Sequence, residues 1–446
     1  MTDALREKRE KKAPTATKRI LFMILWTVLF LAVYRLGVFI QLPYINMELF
    51  QSQESLFGFL DVFSGGALSN FSILALCISP YITSSIVIQL LQMDIVPILK
   101  EWHEEGETGK RKLNNLTKYV ALGLAFVQAL TLTLGINVSY NDNLFVVGVD
   151  PNAFTYVYLA IVCTAGTAFT LWIAELITQK GIGNGSSMII VAGIVSSFPQ
   201  MIGDLINKYI NAEGATGGDL ATFIAVLVVM MLIVVGIIFM ECSQRKIPIQ
   251  YSNRPAAATF RGKHDSNVPI KLNSAGVIPV IFASTLMSLP STILNFLDES
   301  NTAVYWLKQI FTTTSTDSTG AVTINPIAFV LYVVLIIVFS FFYSFLQMNP
   351  EDMAKNLNKN QAIIPSIRPG DATASYISRV LFKITMIGAT YLTIVAIVPI
   401  VMSAIFDLPA SVQVGGTSLI IVVGVAMETA KQLKSEAQEK QYSSLY

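Results

Sequence analysis

Side chains able to attack, ligate or carry a proton are scarce in this sequence, and their placement excludes most chemistry. The cysteines, Cys77, Cys163 and Cys242, lie in or beside apolar runs without metal-site spacing and read as small residues in helix packing. The two histidines, His103 and His264, stand singly in polar loops and suggest neither a metal nor catalysis. Residues 106–111, GETGKR, lack the glycine a phosphate-binding loop needs at position 104 and the Ser or Thr it needs after Lys110. GIGNG at 181–185 falls between two apolar runs rather than after a strand, which excludes a dinucleotide fingerprint. Its glycines suit a very short reversal that needs positive φ. Ion-coupled transporters keep ionisable groups near the middle of the membrane. Here Arg35, Glu175 and Glu241 lie toward the ends of their apolar runs, and Asp61 precedes one. No catalytic residue, metal site or cofactor is expected, so energy for the protein's work comes from outside the chain.

Hydrophobicity sets the elements that carry these residues. Of 446 residues, 53% are hydrophobic and 13% charged, against roughly a quarter charged in soluble chains. The apolar residues gather in long runs, and about 20 such residues let a helix cross lipid with every backbone group paired. Spans are expected at 20–42, 74–93, 115–136, 154–178, 186–206, 220–241, 274–296, 327–348, 375–401 and 415–430. The basic start of the chain leads into a run too long for a cleavable signal peptide. With both termini cytoplasmic, 27 of the 30 Lys and Arg residues fall in inner segments, leaving Arg35, Lys208 and Lys308. Cytoplasmic loops collect basic residues, and one miscounted span would destroy this asymmetry.

Ten spans split five and five, and an odd number per half gives the halves opposite orientations. The expected organisation is a cytoplasmic segment 1–19, a first half 20–207, a second half 208–430 and a cytoplasmic tail 431–446. Inverted halves place a pathway at their interface, marked by broken helices at matching positions. The second span of each half is broken. One follows Ser64–Asn70, SGGALSN; the other, in 274–296, carries Gly276, Pro279 and Pro290. Two inner loops are long for a small-solute transporter. In 242–273, IPIQY alternates on a strand period and predicts a hairpin with its tip at Arg254 to Arg261. In 349–374, Pro350, Glu351 and Asp352 suit a helix start, and RPG at 368–370 is a turn exposing Arg368. Such loops suit a cytoplasmic docking partner.

Several motifs in order resemble the SecY/Sec61 family of protein-conducting channels. They are YRLGVFIQLP at 34–43, FSGGALSNFSILALCISPYITSSIVIQLL at 63–91 and EEGETGKRKLNNLTKY at 104–119. ITQKGIGNGSS at 177–187, VPIKLNSAGVIPVIFAS at 268–284, NPEDMAKNL at 349–357, IPSIRPG at 364–370 and GGTSLIIVVGVAMET at 415–429 complete the set. The resemblance implies an all-α polytopic fold: ten helices in two inverted five-helix halves around an hourglass pore with a re-entrant plug helix. It implies general Sec translocation of unfolded preproteins, with release of signal sequences and transmembrane helices into lipid. SecE and SecG subunits, the SecA motor and the ribosome are the implied partners, and the bacterial plasma membrane the implied location.

Site residues follow from the same resemblance. The plug would span about 61–74, with Gly65, Gly66 and Ala67 allowing close approach and Ser64, Ser69 and Asn70 tolerating a wet cavity. Its modest apolarity would let it leave at small cost. The pore ring would be Ile82, Ile86, Ser186, Ile190, Ile281 and Ile421, with Ile420 as the other register and Ser186 where an aliphatic residue is expected. Gln89, Gln128 and Asn273 would bond across a lateral gate or, alternatively, cap and pack within the bundle. Arg368, then Arg245, Lys246, Arg254 and Arg261, would dock the motor or ribosome. A small-solute transporter and an accessory channel for adhesin export are the competing readings.

Overall fold

The computed structural model describes residues 16–45, 61, 64–92, 95–139, 145, 152–211, 217–251, 266–294, 302–316, 322–406, 408 and 410–443. In order, the helices and strands begin with α1 (Ala16–Val38), α2 (Ser79–Leu91), α3 (Pro97–Glu104), α4 (Glu107–Ser139), α5 (Ala153–Lys180), α6 (Gly185–Tyr209) and α7 (Gly217–Cys242). There follow β1 (Gln244–Tyr251), β2 (Ser266–Lys271), α8 (Ile278–Leu294), α9 (Thr302–Phe311), β3 (Thr314–Thr316) and β4 (Val322–Ile324). The chain ends with α10 (Pro326–Gln347), α11 (Pro350–Lys359), β5 (Ala362–Ile363), α12 (Asp371–Phe406) and α13 (Ala410–Ser443).

Every expected span finds a helix: α1, α2, α4, α5, α6, α7, α8, α10, α12 and α13. Seven described helices are long and apolar enough to cross a membrane, while α2 and α8 are the shorter apolar ones. Those two are the broken segments. In α2 the difference is large, because residues 65–78 run through turns, interrupted by a bend at Gly66 and a single bridge of Ser72 to Gln41, and the helix begins only at Ser79, with Pro80 in its first turn. Gly276, at φ 66, precedes α8, and Pro290 lies inside it.

The chain divides into two compact units. One takes Met1–Asp204, Ser288–Val304 and Val425–Tyr446; the other takes Leu205–Met287 and Tyr305–Gly424. In the first unit, α5 is the central helix. Its buried residues, including Ala160, Cys163, Gly166, Thr170, Ala174 and Ile177, repeat every three or four positions, and small residues let helices approach closely in lipid. Its threonines donate back along the helix, Thr164 to Ala160, Thr167 to Cys163, Thr170 to Gly166 and Thr178 to Ala174. No hydroxyl in that run needs water. Outside the spans, α3 and α9 are amphipathic helices that hydropathy alone did not announce.

In the second unit, α7 presents Leu227, Met231, Leu232, Val235 and Phe239 outward, a face suited to lipid. Phe282 of α8 meets Phe339 and Tyr343 of α10 edge to face, and Ser344 bonds Thr385 of α12 at 2.6 Å. The expected hairpin is present, with β1 and β2 antiparallel from Gln244↔Lys271 to Ile249↔Ser266. The second loop joins it: β5 pairs with the end of β1, Gln250↔Ile363 and Tyr251↔Ala362, giving the order β2-β1-β5. Ile247, Ile249 and Ile270 point inward against Ile377, Leu381 and Ile384 of α12.

Candidate functional site

The half-polar stretch from Asp61 to Ile78 folds into the first unit, and its own side chains explain why it does not continue as a helix. Asp61 and Ser64 are helical, but Gly65 and Gly66 take φ 70 and φ 84, outside right-handed helical space. Ser64 Oγ accepts from the backbone N–H of Ala67 and Leu68 at 3.1 and 3.2 Å. Asp61 Oδ1 accepts from Ser69 N at 2.8 Å, and Gly66 N donates to Asp61 O at 3.0 Å. Short polar side chains here take the donors a helix would have used. The expected helix over 61–74 is therefore a knot of turns beyond Ser64. Burial pushes the Asp61 carboxyl above its ordinary 3.8, against hydrogen bonds from Ser69, Leu68 and Ser64 that lower it.

The knot is more apolar toward the protein than its composition suggests. Ala67 and Leu74 join a buried cluster with Tyr34, Val38 and Ile173, and Leu68 and Phe71 join another with Leu42, Leu132 and Leu159. Ser69 and Asn70 are half-buried. The expectation of a stopper that leaves at small cost is thus corrected: at ~25 cal/mol per Å², exposing Leu68, Phe71 and Leu74 costs several kcal/mol. Close approach applies to Gly65, where a methyl group would lie 2.7 Å from Gly193 Cα. It does not apply to Gly66, whose nearest neighbour would be 3.7 Å away; that residue is needed for its φ. A second approach comes from α5, where a methyl on Gly166 would overlap the Ile73 carbonyl.

Sequence reasoning passed over the residues that hold this knot. Tyr34 Oη donates to Ser64 O at 2.9 Å and lies 3.0 Å from Cys77 Sγ. Arg35 Nη1 donates to Gly65 O at 2.7 Å. The trace in the sequence was a single charged residue, Arg35, between Ile20 and Val38. Further on, Leu42 N donates to Phe71 O and Ile73 N to Ile40 O, both at 2.9 Å.

The other expected site residues fall as follows. Ile86 and Ile190 are buried and Ile82 half-buried in the first unit, where α2 and α6 carry them. Ile281 on α8 and both Ile420 and Ile421 on α13 are buried in the second. Ser186 spends its polar atoms locally, its N and Oγ both donating to Asn184 Oδ1, at 3.2 and 2.7 Å. The loop at 181–185 needs positive φ at Gly183 alone; Gly185 is there because a methyl would overlap the Ala174 carbonyl. Gly183 N donates to Gln432 Oε1 and Ile182 N to Thr27 Oγ1, both at 3.0 Å.

Gln89 Nε2 donates to Ser85 Oγ at 3.1 Å, and its Oε1 is buried with no partner among the described residues. Gln128 is half-buried on α4. Asn273 Nδ2 donates inside its own unit, to Glu241 Oε1 at 2.7 Å and to Gly276 O at 3.0 Å. Arg245 and Lys246 are exposed on β1, and Arg368 is exposed on a turn closed by Thr373 Oγ1 donating to Arg368 O at 2.9 Å. Arg254 and Arg261 lie outside the described residues.

Comparison with known proteins places the chain in a family and a fold. The SecY family model matches residues 72–430. Protein translocase subunit SecY of Bacillus licheniformis is 44% identical over 422 residues, covering 94% of this chain and 95% of the relative. That of Bacillus subtilis is 42% identical over 422 residues, with coverage of 94% and 95%. Among solved structures, a protein-conducting channel superposes with a TM-score of 0.65 at 19% identity, covering 94% of this chain and 93% of that one. Sec61 in the canine ribosome-channel complex from the endoplasmic reticulum gives 0.64 at 18% identity, with coverage of 94% and 93%. The fold is that of these channels, and by family match and identity along almost its whole length the chain belongs to the SecY family.

Proposed function

We propose that this multi-pass membrane protein is the conducting channel of the general Sec pathway in a bacterial plasma membrane, with both termini cytoplasmic. The observation that carries the reading is the knot at 61–78, which packs on protein directly before a span too short to be an ordinary crossing. In this reading the knot is the plug, and Ile82, Ile86, Ile190, Ile281 and Ile421 with Ser186 form the constriction. A narrow ring of branched alkyl groups dewets and blocks ions, yet offers no specific bond to stall a passing chain. Gln89, Gln128 and Asn273 belong to a lateral gate formed by α2 and α8, with α4 and α10 behind, through which apolar segments enter lipid. SecE- and SecG-like subunits complete the complex. SecA or a translating ribosome docks on the basic loops, with Arg368 as the principal contact and Arg245, Lys246, Arg254 and Arg261 beside it. The cytoplasmic segments are 1–19, 242–273, 349–374 and 431–446. Proteoliposomes carrying the chain with SecE and SecG test this: with SecA and ATP they should import an unfolded preprotein and show no saturable uptake of small solutes. Solute flux without preprotein import would overturn it.

A further inference from the structure

The knot is built to keep its shape when it moves. Between Asp61 and Ser72 it closes its own backbone: Ser64 Oγ donates to Asp61 O, Asn70 N to Gly66 O and Ser72 N to Ala67 O, beside the Asp61 and Ser64 side-chain bonds described above. Two consecutive carbonyls, of Ser64 and Gly65, turn outward, and two consecutive residues of α1 take them. Tyr34 does more than accept a neighbour. Its single hydroxyl proton goes to Ser64 O at 2.9 Å, so the Cys77 thiol 3.0 Å away must donate to Tyr34 Oη. One buried hydroxyl thereby ties the start of the knot to its far end, immediately before α2, and hydrogen bonds in such a relay reinforce one another. Arg35 adds a charge-assisted bond at 2.7 Å from the one charged residue between Ile20 and Val38. Its guanidinium lies over the Phe39 ring at 5.7 Å, which fixes its direction.

We propose that Tyr34 and Arg35 are positioning residues for translocation: a two-point latch on α1 that sets how readily the plug is released. The inference rests on the plug reading given above. Release breaks both latch bonds, together with the backbone bonds of Leu42 to Phe71 and Ile73 to Ile40, while the knot keeps its internal ones, so the latch shifts the resting balance between docked and undocked channels and leaves the conducting path itself untouched.

The test uses the purified complex of the full chain with its SecE and SecG partners in planar bilayers, reading resting ion conductance, together with import of a preprotein bearing a weakened signal sequence. Loss of a charged hydrogen bond shifts such a balance by about tenfold and loss of a neutral one by about fivefold. Arg35→Gln should raise resting conductance about tenfold and Tyr34→Phe about fivefold, both admitting the weakened signal, with Arg35→Lys in between. A deletion of residues 65–70 should raise conductance further, and adding Arg35→Gln to it should change nothing more. If the deletion leaks but neither point variant does, the latch fails and the plug stands. If Arg35→Gln increases the leak of the deletion, it acts on the pore wall and the latch is likewise refuted. If the deletion does not leak, the plug reading fails first. Tyr34→Phe, which removes one oxygen atom, carries the test should Arg35→Gln not assemble.

Discussion

Two adjacent glycines in the knot, read above as the plug, give a comparison that geometry decides in advance. Gly65 and Gly66 both hold left-handed backbone, at φ 70 and φ 84, so alanine at either adds ~1–2 kcal/mol of backbone strain. Only at Gly65 would the new methyl clash. It would stand 2.7 Å from Gly193 Cα, 2.8 Å from Arg35 Nη1 and 2.8 Å from Ser196 Oγ, whereas at Gly66 the nearest atom is Asn70 Nδ2 at 3.7 Å. Gly193 belongs to the backbone of α6 and cannot rotate away. Overpacking of this kind costs ~1–3 kcal/mol. The backbone strain travels with a knot that keeps its shape and is common to both variants, whereas the overpacking against Gly193 vanishes when the plug leaves its seat and acts on the docked state alone. Gly65→Ala should therefore shift the docked balance beyond Gly66→Ala by ~1–3 kcal/mol, a ratio of ~5-fold to ~150-fold in the undocked fraction. Resting conductance of the two variants in planar bilayers, at matched protein density, measures that ratio. Equal conductance, or a larger value for Gly66→Ala, would refute the packing argument and with it the seat between α1 and α6.

On the plug reading, Asp61 should make docking sensitive to acid. Burial raises its carboxyl above 3.8, so the docked state binds the proton more tightly than the undocked one. Docking should be firmest at low pH and weaken as pH climbs from 3.8 to the raised value, flat above it; leak conductance against pH should show this slope, and Asp61→Asn should abolish it. Arg368→Glu should stop SecA-driven import while the complex still assembles; normal import by that variant would remove Arg368 from docking. Asn273→Ala takes from Glu241 a bond that contributes ~1.5–3 kcal/mol and should lower the thermal stability of the complex measurably. Gln89→Ala and Gln128→Ala, by contrast, should admit weakened signal sequences with little change in melting temperature, and unchanged signal stringency in both would argue against a gate role.

Long apolar runs made the spans readable, because lipid allows few other solutions. Alternation in IPIQY likewise revealed β1, whose inward Ile247 and Ile249 are buried. What escaped were contacts between distant residues. The pairing of Ala362 and Ile363 with the end of β1 spans more than a hundred positions and rests on a two-residue strand, too short for any pattern. The bond from Arg35 to Gly65 joins residues 30 apart, and no periodicity records it. The turns after Ser64 were written plainly in Asp61, Ser64, Gly65 and Gly66. The glycines were expected to serve close packing, yet Gly66 serves backbone direction alone. Burial of Leu68 and Phe71 also lay hidden, since a stretch with three serines gives no hint of which side turns inward.

The small sheet β2-β1-β5 couples two loops into one lever. Its middle strand starts at Gln244, just past the foot of α7, and its neighbour β2 ends at Lys271, just ahead of α8. The third strand belongs to the loop that displays Arg368. A load applied at that arginine travels in shear through Gln250–Ile363 and Tyr251–Ala362, then across the six rungs joining β1 to β2. On the docking reading proposed above, a motor gripping that arginine would act on the roots of α7 and α8 together through these rungs, steering the broken helix from outside the bilayer.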